Sequence, residues 1–383
     1  MTSALEGLKV LDLTRVLAGP LCTMLLGDMG AEVTKVEADW GDETRGWGPP
    51  YNGGEAAYYL GFNRNKRSIV LDLKSPEGRT TLEKLLRESD VVVENFKAGT
   101  LARWGFGAEW REREAPGLIH CSITGYGETG EKAHMPGYDF ILQAEAGLMS
   151  ITGPVDGPPI KHGVAIVDLT TGLYAALGVL GALCARQRRG IGQQVSVSLF
   201  ESALSMLANV AANHLASGSE ARRYGNGHPN IVPYSIFPAA DADVALAVGN
   251  DLQFERLSVI CGHPEWPRDR RMRTNADRVE NRALVEAAVG QALAQRPAQE
   301  WIELLTDAGI PCGRVNSVAG ALASPQAAAR EMVIDVQHPT ASNLRLLGFP
   351  IKMDRTPLAV RRPPPLLGQH TDEVLAELGA RAA

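Results

Sequence analysis

A single carboxylate, Asp168, stands inside GVAIVDLTTGLYAALGVLGAL (163–183), a run that is otherwise uncharged and in which the next charge is Arg186. An ionised carboxylate is costly to bury unless it is paired or hydrogen-bonded. Asp168 is therefore a helix cap, an ion-pair member or a reactive group held in a cleft. The order Asp168-Leu-Thr-Thr-Gly ahead of a long helical stretch suits an N-cap. It suits equally a carboxylate nucleophile, which a helix dipole and free N–H groups would keep ionised and which can form a covalent acyl intermediate. The two roles are compatible.

Cationic residues make a second group. FNRNKRSIVLDLK (62–74) gathers Arg64, Lys66, Arg67 and Lys74, Arg15 ends the first strand-like run, and Lys97 and Arg103 follow DVVVENF (90–96). In an open α/β sheet the ligand crevice lies at the carboxyl ends of the strands, where Arg15, Lys74, Lys97 and Arg103 fall. In a chain of net charge −6 this grouping points to a polyanionic ligand such as a nucleotide rather than to solvated surface charge. GYGETG (125–130) is a literal G-x-G-x-x-G after a strand, but Pro136 and Gly137 follow where a phosphate-binding helix would have to begin. A nicotinamide-dependent oxidoreductase is accordingly the weaker alternative. No H-E-x-x-H or G-x-S-x-G occurs, and Cys22, Cys121, Cys184, Cys261 and Cys312 are scattered without a C-x-x-C pair. These patterns argue against a metal site, a hydrolase triad and a disulfide framework.

The elements that must position these groups alternate. Strands are predicted at 8–13, 31–38, 67–73, 90–96 and 117–125, with a helix in LCTMLLGDMG that stops at Gly30 and another in 75–90 with Ser75 as N-cap and Pro76 behind it. Near-continuous apolar strands alternating with helices give an open parallel sheet covered on both faces. Residues 163–216 read as long helices interrupted by RQRRGIGQQVSVSLFE, and YGNGHPNIVPY (224–234) marks a boundary or functional loop. The expected division is a large domain over 1–222, to which 333–383 returns, and a smaller α/β domain over 223–332. The acidic balance argues against non-specific nucleic-acid binding. MTSALEGLKVLD has no basic stretch ahead of an apolar run, and Asp168, Thr170, Thr171 and the glycines lower the hydropathy of 163–185. A cytoplasmic protein with no membrane or nucleic-acid partner is expected.

The chain resembles the class III CoA-transferases, the CaiB/BaiF family that includes formyl-CoA transferase and carnitine CoA-transferase. The resemblance runs over nearly the whole length through LEGLKVLDLTRVLAGPLCTMLLGDMGAEVTKVE, GDETRGWGPP, FNRNKRSIVLDLKSPEG, DVVVENFKAGTLARWGFG, GYDFILQAEAGLMSITG, GVAIVDLTTGLYAALGVLGAL and LLGQHTDEVL. It implies that Asp168 is the catalytic carboxylate and that CoA is met by Arg15, Val16, Leu71, Asp72, Leu73, Lys74, Asn95, Phe96, Lys97 and Arg103. Tyr138 would frame the thioester, and Gly225-Asn226-Gly227-His228 would be the loop that shields the intermediate from water. Ala38 stands where some members place an arginine over the adenine, and Ala98 where a proline is usual.

The resemblance further implies a Rossmann-like large domain built from both termini, a smaller central domain and an interlocked homodimer. It also implies no permanently bound cofactor, with coenzyme A and acyl-CoA as substrates. The expected reaction moves CoA from succinyl-CoA or acetyl-CoA to a small carboxylic acid, most naturally a dicarboxylic one. His162, Arg222, Arg223 and His228 are candidate anchors for that acid. An α-methylacyl-CoA racemase on the same fold would need a histidine where Gly137-Tyr138-Asp139 has tyrosine.

Overall fold

Apolar strand, small-residue helix and apolar strand follow one another in the first forty residues, and they fold as β1 (Lys9–Leu13), α1 (Ala18–Asp28) and β2 (Glu32–Glu37) in the computed structural model, which describes residues 3–381. β3 (Lys66–Val70), α2 (Pro76–Glu88), β4 (Val91–Glu94) and β5 (Ile119–Thr124) continue the alternation. Ser75 caps α2 as expected, its Oγ accepting the Gly78 N–H at 3.0 Å. After α3 (Asp139–Glu145) and α4 (Ile166–Arg189) come β6 (Gln194–Ser198) and α5 (Leu199–Ser205). The strands pair in parallel in the order β3-β2-β1-β4-β5-β6, the order of a doubly wound nucleotide-binding sheet.

β6 hides in the stretch the sequence presents as an interruption between helices. Its QVSVS places polar residues on a half-exposed edge strand, so no apolar run announces it. One face of the sheet is closed by α1 and α4, through Leu21, Leu25, Val167, Ala175 and Val179. The other is closed by α2, Trp110 and the C-terminal helix Thr371–Arg381, through Leu82, Leu86, Val374 and Leu378. α4 is long and apolar enough to cross a membrane. Here Val167, Thr171, Ala175 and Val179 bury a stripe at helical spacing. The contact with α1 is backbone-close: a Cβ added at Gly172 would lie 2.6 Å from the Ala18 carbonyl oxygen.

The chain divides into two compact units. The larger takes residues up to Leu148, 162–207 and the chain from Pro325 on, so both termini contribute to it; the smaller takes 149–161 and 208–324. The expected boundary after 222 thus falls after Leu207, 149–161 belongs to the smaller unit, and 325–332 belongs to the larger. The reasons are local. Ala208 turns the chain with a φ of 44°. Arg223 binds 149–161 into its own unit by donating to the carbonyls of Ser150, Pro154 and Gly157. The smaller unit holds an antiparallel sheet of β7 (Tyr234–Pro238), β8 (Asp243–Ala247) and β9 (Cys312–Arg314) in the order β9-β8-β7. Phe254, Leu257, Val289 and Trp301 pack into its core.

Candidate active site

β1 and β4 are neighbours from which the sheet winds in opposite directions, and crevices of doubly wound sheets open at that point. The turn leaving β1 is held from below by buried ions. Asp12 accepts from the N–H and hydroxyl of Thr14, from Thr23 Oγ1 at 2.6 Å and from Lys66 Nζ at 3.0 Å. Burial alone would raise the Asp12 pKa, but Lys66 and Lys35 outweigh it and hold the acid well below its ordinary range. Lys35 Nζ donates to the Thr14 carbonyl at 2.7 Å and to Asp42 at 2.9 Å. Asp42 in turn accepts from Val16 N–H, and Val16 sits at φ 71°, a region that a β-branched residue adopts only when its surroundings impose it. From the β4 side, Asn95 clamps Arg15 reciprocally, accepting its N–H at 3.0 Å and donating to its carbonyl at 2.8 Å.

Most of the basic cluster read from 62–74 is therefore structural. Arg64 pairs with Asp28, Lys66 with Asp12, and Arg67 with Glu373 and Glu377. Lys74 is the member that lines a cavity together with Arg15 and Phe96.

Two cavities of the larger unit share Arg15 and Phe96 in their walls. The first, of about 230 Å³, brings together Arg15, Val16, Asn95, Phe96, Lys97, Tyr138 and Asp168. The second, of about 460 Å³, brings together Leu71, Asp72, Leu73 and Lys74 with Ala38, Trp40 and Trp104. Of the residues expected to meet CoA, Arg103 lines neither. Its guanidinium donates to the Ala98 carbonyl and to Thr100 Oγ1.

Asp168 lies in the first turn of α4, but it is not the cap. Ala165 occupies the N-cap position, and Asp139 Oδ1 reaches across from the start of α3 to accept the N–H groups of Val167 at 2.7 Å and Asp168 at 3.2 Å. The free N–H groups expected to keep Asp168 ionised are thus already taken. Among the described residues no hydrogen bond or ion pair holds its carboxylate. Burial, and then the Asp139 charge, raise its pKa from 3.8 to about 7. A partly buried, unpaired carboxylate in a cavity wall is a functional-site arrangement.

Several site groups carried no signal in the sequence. Asp139 is 29 residues from Asp168, as the bonds between them record, and only the packing of α3 on α4 makes them neighbours. Tyr58, whose phenol burial and the charges of Asp168, Asp139 and Asp42 raise to about 12, sits edge-on to Trp47 with ring centroids 5.3 Å apart. His134 lines the first cavity in a segment without periodicity.

The Gly225–His228 loop belongs to the smaller unit. It is tied down there: Gly227 N–H donates to the Tyr224 carbonyl, and Arg282 donates to the His228 carbonyl at 2.7 Å. Burial and the Arg282 charge push the His228 imidazole below its ordinary 6.5. A neutral ring is a poor carboxylate anchor. Arg223, spent on three backbone carbonyls, is another.

Doubly wound sheet, crevice at the reversal and unpaired carboxylate together mark the ligand site of an α/β enzyme, and comparison with known proteins shows its family. CoA-transferase family III matches residues 5–371. The chain is 41% identical to succinyl-CoA:glutarate CoA-transferase of Homo sapiens over 98% of its length and 86% of that protein. It is 43% identical to succinate–glutarate CoA-transferase of Agrobacterium fabrum, over 98% and 95%. A crystal structure of a CaiB/BaiF family protein from Brucella suis superposes with a TM-score of 0.86 at 42% identity, covering 99% of this chain and all of that one. The chain belongs to CoA-transferase family III, and it is a CoA-transferase.

Proposed function

We propose that Asp168 carries CoA transfer from succinyl-CoA to a small dicarboxylic acid, through an aspartyl anhydride and an aspartyl-CoA thioester. The observation that carries this reading is the carboxylate itself: unpaired, partly buried, and set in a wall of the cavity that shares Arg15 and Phe96 with its neighbour. The relatives named for succinyl-CoA and glutarate support a dicarboxylate on both sides of the exchange.

Each step conserves the thioester. Asp168 attacks the donor carbonyl, the C–S bond breaks, and CoA leaves as thiolate from a mixed anhydride. The thiolate attacks the aspartyl carbonyl of that anhydride, releasing the donor's carboxylate and leaving CoA on Asp168. The acceptor carboxylate attacks this thioester and expels the thiolate, which then attacks the acceptor's carbonyl and restores free Asp168. Binding of the nucleotide half keeps the thiolate at high effective concentration between steps. Since Asp139 occupies the first-turn N–H groups of α4, the oxyanion donors come from elsewhere.

The exposed apolar side chains of α4, Leu173, Tyr174 and Leu177, support burial in a homodimer. Light scattering after size exclusion reads that directly. The mechanism is tested by adding borohydride or hydroxylamine during turnover with succinyl-CoA and glutarate, followed by peptide mass spectrometry. Modification confined to Asp168 is expected, and modification elsewhere or nowhere overturns the reading.

A further inference from the structure

The second cavity has an aromatic wall that the family resemblance does not supply. Trp40 is 63% exposed, an unusual solvent cost for an indole, and it stands over the cavity lined by Leu71, Leu73 and Lys74. Its backbone is fixed on both sides. The Gly41 N–H closes a turn on the Ala38 carbonyl at 3.0 Å, and Gly41 has a φ of 80° that a side chain would strain. Immediately afterwards the buried Asp42 donates its N–H to Glu37 at 2.9 Å. A tryptophan carried on a fixed turn offers a large flat face with two side-chain torsions to order when a ligand arrives. Lys74 Nζ already lies 5.9 Å from the ring centroid, which puts a cation beside the aromatic face.

Ala38, two residues before Trp40, cannot provide the guanidinium plane that some family members lay over the adenine. We propose that Trp40 takes over that part: its indole stacks on the adenine of the CoA thioester, with Lys74 beside it for the ribose phosphate. The proposal rests on the CoA-transferase mechanism above and adds a base-recognition residue to it. Stacking of a base on an aromatic side chain makes an alanine substitution costly by about tenfold in affinity, and another aromatic ring retains most of that.

The test compares Trp40→Ala and Trp40→Phe with the wild type on two donors, succinyl-CoA and the succinyl thioester of pantetheine, which lacks the nucleotide. Trp40→Ala should raise KM for succinyl-CoA about tenfold with little change in kcat, and Trp40→Phe should raise it by about threefold or less. On the pantetheine thioester the difference between Trp40→Ala and wild type should vanish. A KM for succinyl-CoA unmoved by Trp40→Ala overturns the proposal, and so does an equal rise on both donors. If wild type transfers CoA from no thioester in the presence of a panel of acids, the mechanism itself falls. That result is distinct from wild-type turnover with an indifferent Trp40.

Discussion

Replacing Asp168 by asparagine should abolish transfer and at the same time make the folded protein more stable. In the native state the carboxyl titrates at about 7 instead of 3.8, so between those values the folded chain binds a proton that the unfolded chain has released. Stability then falls as pH rises through that window. At about 1.4 kcal/mol for each tenfold change in acidity, the cost reaches a ceiling of about 4 kcal/mol once the group is ionised. Partial solvent access reduces this to about 1–2 kcal/mol. Asparagine keeps the shape, carries no charge and is not repelled by Asp139. Its advantage should therefore be small near pH 4 and full near pH 8, where it corresponds to about 1–3 °C in melting temperature. Thermal unfolding of both proteins at pH 4.5, 6 and 8, beside a transfer assay, reads the effect. A variant less stable than wild type at pH 8, or a difference independent of pH, would refute the account of why this acid is reactive.

Further expectations concern the surroundings. Asp139→Asn removes the like charge next to Asp168 while keeping an acceptor for the Val167 N–H. The acid limb of the pH profile of kcat/KM should shift to lower pH, whereas Asp139→Ala should also cost about 1 kcal/mol of stability through the lost helix cap. Lys66→Met strands the fully buried Asp12 and should destabilise the fold by about 3–5 kcal/mol in urea titration; a cost under 1 kcal/mol would mean the pair is dispensable. Gly172→Ala forces a methyl against the Ala18 carbonyl and should cost about 1–3 kcal/mol with loss of kcat, measured by unfolding and steady-state kinetics.

The parallel sheet was legible because its central strands are buried on both faces, so that VVVE reads as an apolar run and IHCSIT keeps Ile119, Cys121 and Ile123 inside. β6 was not, because an edge strand of alternating Gln, Val and Ser has only one face to hide. Asp168 was conspicuous as a charge in an apolar stretch, yet its relation to Asp139 depends on how two helices pack. Lys66 shows the converse. A lysine in a basic string reads as ligand-binding, and only the fold reveals a neighbouring acid to bury it against. The smaller unit's claim on 149–161 rests on the carbonyls that Arg223 collects, which no residue pattern advertises.

The close approach of Gly172 to Ala18 also sets how the walls of the first cavity are joined. It joins the second turn of the helix that bears Asp168 to the first turn of the helix that follows the Arg15–Val16 bend. The Asp168 carboxylate and the Arg15–Val16 wall of the first cavity are therefore carried by two helices joined at backbone distance.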